Sequence, residues 1–353
     1  MAWWRSWSGQ RTPRARGRDI ASAALGEISD VWKVDHTRVV ARDDGFDWWP
    51  EDFKVSVTAI RRTDGHVPET WMLSIRTDFL KDIPIDDARF LKFAGLNSGV
   101  FGSTYAWVFV PEVAWDHYRT RGATPRLWFA NTAYLTADNA SWLPGFLAHM
   151  SVLQPINARL ASQAQGLLFG GTPDTSTSRL LGRSNQSDVL SQSLAAIADS
   201  GSSVNRWIGT NEFEVLASNW RRLPGSVCHG NDYSFDLQVP LDGDLPGAIR
   251  LSTDEVHVQM GNGLLGNLRL PIFDDLKSTA ERCAAWNLTD TMWNDIPQFG
   301  CWYPLVLEHD EACPQFSTFI PNALYGNGIA SLTVDWLYQK LRAVMYKEFP
   351  TPV

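Results

Sequence analysis

The spacing of apolar and polar positions in the first half of the chain predicts a mixed succession of helices and strands. Apolar residues recur at helical spacing in some segments and alternate with polar residues in others. The predicted elements are a helix at 19–32, strands at 37–42, 53–60 and 70–76, a helix at 86–97, strands at 103–111 and 125–135, and a helix at 139–165. Pro144 and Pro155 must kink or begin the last helix, because proline lacks the N–H that a helix interior needs.

The second half of the chain predicts the same succession of elements. They are a helix at 211–223, strand-like runs at 229–241, 248–260 and 264–272, a helix at 274–287, strands at 299–307 and 314–325, and a final helix at 328–349. Between the halves, residues 166–206 are rich in Gly, Ser and Thr around one short helical segment. We interpret them as a linker.

Residue identities between the halves support an internal duplication. The segments 129–147 and 319–337 align without a gap, so that Phe129 matches Phe319 and Leu147 matches Leu337. We therefore expect an α+β protein made of two tandem α-βββ-α-ββ-α repeats, each an antiparallel sheet with helices packed on one face. The predicted boundaries are a basic arm at 1–18, a first repeat at 19–165, the linker at 166–206 and a second repeat at 207–350.

One stretch raises the possibility of a dinucleotide-binding enzyme. Residues 261–266 fit the pattern G-x-G-x-x-G, and Glu281 lies twenty residues after the first glycine. In a nucleotide-binding unit this loop opens a helix, whose N-terminus faces the pyrophosphate. Here Leu268 and Leu270 alternate with polar residues and Pro271 follows, so the pattern predicts a second strand. We interpret Gly261 and Gly263 as a hairpin turn and expect the helix to begin near Asp274.

Charge and composition narrow the functional class. The net charge of −8 argues against a general nucleic-acid binder. The segment 1–18 is an exception, since it carries arginines and no acid. We interpret it as a flexible arm, with docking through Trp3, Trp4 and Trp7 as the alternative. No apolar run approaches a signal-peptide core or a membrane span, so the sequence predicts a cytoplasmic protein with reduced cysteines.

The common catalytic and metal-binding motifs do not indicate a function for this chain. The nucleophile elbow G-x-S-x-G, the motif HExxH, the P-loop and paired CxxC are absent from the sequence. Cys228 and His229 are adjacent, but neighbours on a strand point to opposite faces, which is poor geometry for a nucleophile and its base. His309 and Cys313 with Cys301 lack a fourth ligand at useful spacing. We expect no metal and no cofactor.

Strand-borne aromatic residues are the feature most suggestive of function. The chain has 17 tryptophans, and many aromatics fall in the predicted strands. An outward-facing aromatic row on a sheet favours a groove for an extended or helical peptide, whereas an inward row is core packing. The candidate partner contacts are Trp107, Trp128, Trp302, Phe319, Asn322 and Tyr325. If Trp302 is such a contact, Trp302→Ala weakens partner capture and hardly changes the melting temperature.

The order of elements resembles the type III secretion chaperone fold and its YbjN relatives. In the second half, GNGLLGNLRLP leads into a helix ending AAWN, and FGCWYP precedes FSTFIPNALYGNG and a long last helix. This looks like the tandem actinobacterial variety of peptide-binding chaperones, and the resemblance covers about 280 residues. The first repeat departs from it at Thr132, where the second has Asn322, and by an insertion at 113–124.

The resemblance implies a non-enzymatic protein that binds a client peptide or protein, within a bacterial conflict or secretion-related system. Because such chaperones are often dimers, a fused pair of repeats would form an intramolecular pseudo-dimer. Two alternatives stay open. One is a permanent structural subunit of a multiprotein assembly, and the other is an enzyme whose site is not visible as a motif. We expect no nucleic-acid partner.

Overall fold

The structure is a computed structural model that describes residues 18–35, 39–50, 52–61, 70–84, 86–98, 104–108, 125–175, 187–199, 204–241, 246–288, 299–307 and 311–348. Residues 1–17 of the predicted arm and the insertion at 113–124 lie outside the described residues. The architecture is α+β, with two antiparallel sheets and several helices. The helices are α1 (Arg18–Val31), α2 (Asp87–Leu96), α3 (Leu143–Met150), α4 (Leu153–Phe169), α5 (Ser187–Asp199), α6 (Glu212–Trp220), α7 (Leu276–Leu288) and α8 (Ile329–Glu348).

The first sheet is built in the order β1-β2-β3-β4-β6-β5, and β7 pairs with β4 beside this path. Its strands are β1 (Val39–Arg42), β2 (Gly45–Trp48), β3 (Val55–Arg61), β4 (Trp71–Lys81), β5 (Ala106–Val108), β6 (Arg126–Leu135) and β7 (Thr172–Pro173). The sequence predicted three strands before α2, and the structure has four. The correction comes from Asp43 and Asp44, which form a two-residue turn joining β1 to a short partner strand.

The second sheet follows the order β8-β9-β10-β12-β15, with β14 on the other side of β15 and two short strands beside this path. Its strands are β8 (Val227–Gly230), β9 (Ser234–Val239), β10 (Gly247–Ser252), β11 (Val256–His257), β12 (Gly261–Arg269), β13 (Asp274–Asp275), β14 (Cys301–Val306) and β15 (Glu311–Pro321). The run at 229–241 is again two strands, not one. Asn231 turns the chain by accepting hydrogen bonds from the N–H groups of Tyr233 and Ser234, each at 2.8 Å.

Helices pack on one face of each sheet, which we call its near face; the opposite side is its far face. In the first sheet, the Thr77 hydroxyl donates to Gln154 of α4 at 3.2 Å, and the Asn131 amide donates to Ser151 at 2.9 Å. In the second, α6, α7 and α8 occupy this position. A Cβ placed on Gly247 would lie 2.8 Å from a methyl carbon of Leu341, so glycine allows α8 to approach β10 closely.

The glycine stretch is a strand, as its alternation predicted, but the turn lies elsewhere. Gly261 and Gly263 belong to β12, and His257 pairs with Gly261, so the hairpin turn is formed by residues 258–260. Gly263 serves close packing, since a Cβ there would overlap the Phe319 ring. The helix after this strand begins at Leu276. The order strand, strand, helix does not form the nucleotide-binding arrangement.

Proline placement divides the long helix of the first half. Pro144 lies in the first turn of α3 and Pro155 in the first turn of α4, where a missing N–H costs little. Ser151 and Val152 separate the two helices. The predicted helix at 139–165 is therefore two helices, while α8, which carries no proline, runs without a break.

The two halves of the chain meet through α2 and β5 of the first and α7 and β14 of the second. Helix α2 contacts α7, β5 contacts β14, and the crossed contacts of α2 with β14 and of α7 with β5 are also present. Trp142 stacks on Trp336 of α8 with 5.8 Å between ring centroids. The Asn157 amide of α4 exchanges two hydrogen bonds of 2.9 Å with Gln259. The buried apolar side chains form one continuous core across this interface.

Candidate functional site

Trp302 lies in the core and not on a docking surface. Its side chain is 1% exposed, on the near face, where its ring packs edge-on against Trp286 of α7 at 4.7 Å and Phe316 at 5.3 Å. The side chain of Asn287 pairs with the backbone N–H and C=O of Trp302, both at 2.8 Å. A partner cannot reach this ring without opening the helix layer, so the expectation of an accessible Trp302 is wrong.

Three other candidates pack against other parts of the chain itself. Phe319 is fully buried on the far face against His257, and Asn322 is also fully buried. The Asn322 side chain donates to Val204 O at 2.8 Å and accepts from the N–H of Arg206 at 3.2 Å. Tyr325 is half-buried, with its ring edge-on to Trp207 at 5.1 Å.

Asn322 and Tyr325 therefore bind a peptide segment of the chain itself, residues 204–207, which are the end of the predicted linker and the first residue of the predicted second repeat. Asn205 completes the attachment by donating to the carbonyl oxygens of Thr253 and Gly263 at 3.1 and 2.7 Å. Helix α5 also belongs to the packed structure, because Leu190 and Ile197 are buried. The end of the linker is part of the second half, which its polar composition did not indicate.

The remaining two candidates belong to the first sheet. Trp107 lies in β5, where its backbone is opposite Phe129, and its side chain lies outside the described residues. Trp128 lies on the far face of the first sheet and is 8% exposed. Its ring is covered by the Arg76 guanidinium, whose central carbon is 4.1 Å from the ring centroid. Among the five candidates whose side chains the structure describes, Trp128 is the one whose ring is covered by a charged side chain that itself reaches the solvent.

Charged residues lie around Trp128. We call Trp128 and these residues together the Trp128 cluster: Lys54, Arg76, Asp78, Lys81, Arg126, Trp128 and Asp174. Asp78 lies directly opposite Trp128 in the strand pairing and its side chain is only 4% exposed. The Arg76 guanidinium binds it through Nε at 2.7 Å and through a terminal nitrogen at 2.5 Å. Lys54 Nζ approaches the other Asp78 oxygen at 3.6 Å. One buried carboxylate thus holds two cations.

Asp174 repeats this arrangement beside the first carboxylate. Its side chain is 8% exposed, and it contacts Lys81 at 3.7 Å and Arg126 at 3.4 Å, one through each oxygen. Lys81 and Arg126 are opposite one another in the pairing of β4 with β6, next to the pair Asp78 and Trp128. A bulge in β4 between Asp78 and Leu80 shifts the alternation of side chains, so that Lys81 faces the same side of the sheet as Asp78. Asp82, which accepts from the Thr172 hydroxyl, lies at the rim of this region.

The sequence analysis missed the four basic residues of the cluster. They are separated by up to 72 positions, and none belongs to a motif. Lys54, Arg76 and Asp78 do alternate on strand-like segments, which places them on one face. Only the strand order and register bring them beside Arg126 and Trp128. Polar and small side chains that continue the far face toward β3, among them Thr58 and Ser74, are half-exposed.

The buried ionisable groups elsewhere are poorly suited to act as nucleophiles at neutral pH. Burial raises the pKa of the Cys283 and Cys301 thiols well above the ordinary value, which keeps both protonated. Cys228 is buried on the near face and His229 is exposed, so their side chains do point apart. Burial lowers the pKa of Lys340 well below its usual range, and its Nζ lies 4.4 Å from the Phe316 ring centroid. In the part of the chain that the structure describes, no three His, Cys, Asp or Glu side chains gather in a way that could hold a metal ion.

Comparisons with protein-family models, with curated proteins and with solved structures find no match to this chain. None of the helices within the described ranges combines the length and the apolar character needed to cross a bilayer.

Proposed function

We propose that this protein is a non-enzymatic chaperone or adaptor that binds a peptide segment of a partner protein and holds it for delivery or assembly. The observation that carries the proposal is the far face of the first sheet, which lies opposite α1, α3 and α4 and presents the Trp128 cluster. This surface is charged, partly exposed and built on regular strands. A sheet face of this kind binds through side chains that are already held in place, which lowers the entropy cost of association.

An edge strand of the first sheet, as the described residues form it, offers a way to bind the peptide backbone. Strand β1 is terminal in the strand order, and its two-residue turn makes Arg42 and Gly45 a hydrogen-bonded pair. By alternation, the N–H and C=O groups of Val39 and Ala41 point away from β2. An extended segment that adds to β1 would pair with these groups, and its side chains would extend the far face.

We also propose that the two halves are tandem copies of one secretion-chaperone/YbjN-like module. The support is the shared strand order, which is 1-2-3-4-6-5 in each half when the short strands β7, β11 and β13 are left out, and the interface made by corresponding elements, as in an isologous dimer. Phe129 and Phe319, matched by sequence, do not add to this support, because Phe129 stacks on Phe79 beneath the helices whereas Phe319 lies on a far face. The fused halves would then act as an intramolecular pseudo-dimer in the cytoplasm, within a bacterial conflict or secretion-related system.

The peptide groove and the alternative of a permanent assembly subunit were both expected to use outward aromatic residues, and Trp302 and Phe319 are buried, so these residues do not favour either one. The alternative of a permanent subunit therefore stays open. Its expected behaviour still differs, because a subunit co-purifies at fixed stoichiometry with one partner. A chaperone binds several peptides and releases them.

A peptide selection on the full chain tests the proposal. Random peptides displayed on phage are selected on the immobilised protein, and the enriched sequences are measured as free peptides. We expect several unrelated sequences to bind reversibly, and binding to fall in Ala41→Pro, which removes an edge N–H without touching the β1–β2 ladder. Val306→Pro, at an exposed position of β14 whose N–H points away from β15, is the matched control on the second sheet. Absence of any enriched peptide, or stoichiometric recovery of one partner that resists exchange, contradicts the proposal.

A further inference from the structure

We infer that the Trp128 cluster is a binding site for an acidic segment of the partner polypeptide. This inference rests on the proposed function and adds the chemistry of the client to it. The cluster is a basic region in a chain whose net charge is −8. Charge complementarity therefore favours an anionic occupant here, even though the molecule as a whole repels anions.

The ratio of charges within the cluster is the first argument. Each of two buried carboxylates, Asp78 and Asp174, is contacted by two cations. Asp82 lies at the rim, so four cations face three carboxylates among the described residues, and the cluster keeps a net positive charge. Arg76 and Arg126 keep 38% and 46% of their side chains exposed, which makes both available to a ligand.

The rigidity of Arg76 is the second argument. Two of its nitrogens bind Asp78, and the guanidinium plane lies over the Trp128 ring at 4.1 Å. An arginine fixed in this way offers its remaining N–H groups in a set direction, and less side-chain entropy is lost when a carboxylate binds. A solvated surface arginine without such supports would have no preferred direction.

The weaker support of the arginines on the second sheet is the third argument. Its far face carries Arg250 and Arg269, and Arg250, which is 57% exposed, approaches a single carboxylate, Asp236, at 3.8 Å. Among the described contacts, neither arginine lies over an aromatic ring or binds a buried carboxylate through two nitrogens. The held arginine and the buried carboxylates of the Trp128 cluster thus form one local site. A local site suits a few carboxylates of a peptide better than a nucleic acid, whose binding draws on a long basic surface.

The test measures fluorescence anisotropy of labelled probes on the full chain. The probes are a short Glu/Ser peptide with an amidated C-terminus, the same peptide with Lys in place of Glu, and an oligothymidine of equal charge. We expect the Glu/Ser peptide to bind, and its affinity to fall about tenfold in Arg76→Gln and in Arg126→Gln, since each removes a charge-assisted contact. Arg250→Gln is the matched control and should change the affinity less than about twofold.

The outcomes separate this inference from the proposed function. If the Glu/Ser peptide binds no better than the Lys/Ser peptide, or if Arg250→Gln weakens it as much as Arg126→Gln, the inference fails. Tighter binding of the oligothymidine overturns it in favour of a nucleic acid. If random selection yields only neutral or basic peptides whose binding Arg76→Gln leaves unchanged, the inference fails and the proposed function stands. Should Arg76→Gln lose cooperative melting, Arg126→Gln decides, because Lys81 still holds Asp174.

Discussion

Truncation of Trp302 distinguishes a core residue from a docking residue. The structure buries this side chain almost completely, and a tryptophan in that position removes roughly 200 Å² from water, worth about 5 kcal/mol. An alanine side chain at position 302 still buries part of this area, but the edge-on contacts with Trp286 and Phe316 are lost. Measured costs for large aromatic to alanine changes in cores are about 3 to 5 kcal/mol, and we expect Trp302→Ala near the upper end.

The assay is urea unfolding followed by far-UV circular dichroism, which avoids the overlapping fluorescence of 17 tryptophans. With an m-value of about 3 kcal/mol/M, the expected loss lowers the midpoint by about 1 M or more. Val306→Ala is the control on the same strand. Its side chain is 57% exposed, so its effect should stay within about 0.5 kcal/mol. An unchanged midpoint in Trp302→Ala, together with weaker peptide binding, would refute the core assignment and restore the docking role.

Two further predictions concern buried polar residues of the second half. Burial lowers the pKa of His257 from 6.5 to about 4, and its Nδ1 accepts hydrogen bonds from the N–H groups of Gln259 and Met260. The free energy of unfolding should therefore be unaffected by this group above pH 6.5 and should fall by up to about 3 kcal/mol as pH drops toward 4. When unfolding is measured across that range, the free energy of unfolding should depend less on pH in His257→Asn, which keeps an acceptor but does not titrate. The pKa of His149 is also lowered by burial, and its contribution to the pH dependence is the same in both proteins. Asn322→Ala should lower the free energy of unfolding by about 1 to 3 kcal/mol and speed amide exchange at residues 204–207. Asn322→Asp keeps the acceptor for the Arg206 N–H, so its effect should be intermediate. Unaltered exchange in Asn322→Ala would show that this side chain does not hold the segment.

Local elements were predictable because their causes are local. Asp86 was expected at a helix start, and it caps α2 by accepting the N–H of Arg89 at 2.8 Å. Pro144 and Pro155 were expected to begin or kink helices, and they do. The alternation after Gly263 correctly predicted a strand and excluded a nucleotide-binding helix. In each case the deciding interaction spans a few residues, so the local sequence contains it.

The direction in which the aromatic residues point was not predictable, because it depends on layers formed by distant parts of the chain. Alternation shows that Trp302 and Tyr303 face opposite sides of β14, but it does not show which side α7 covers. Phe319 lies on a far face and is nevertheless fully buried, since residues 204–207 and His257 lie over that end of the sheet. A far-face residue is exposed only if nothing else in the chain packs there.

The amino-acid sequence by itself determined most helices, most strands and several helix starts and turns, because hydrophobic period and backbone-restricting residues act over short distances. The tertiary structure alone decided which aromatics are core, that the end of the linker is part of the second half, and that Lys54, Arg76, Lys81 and Arg126 share one site around Trp128. The physical reason is that burial and charge proximity follow from strand order and register, and these are set by pairings between residues far apart in the chain.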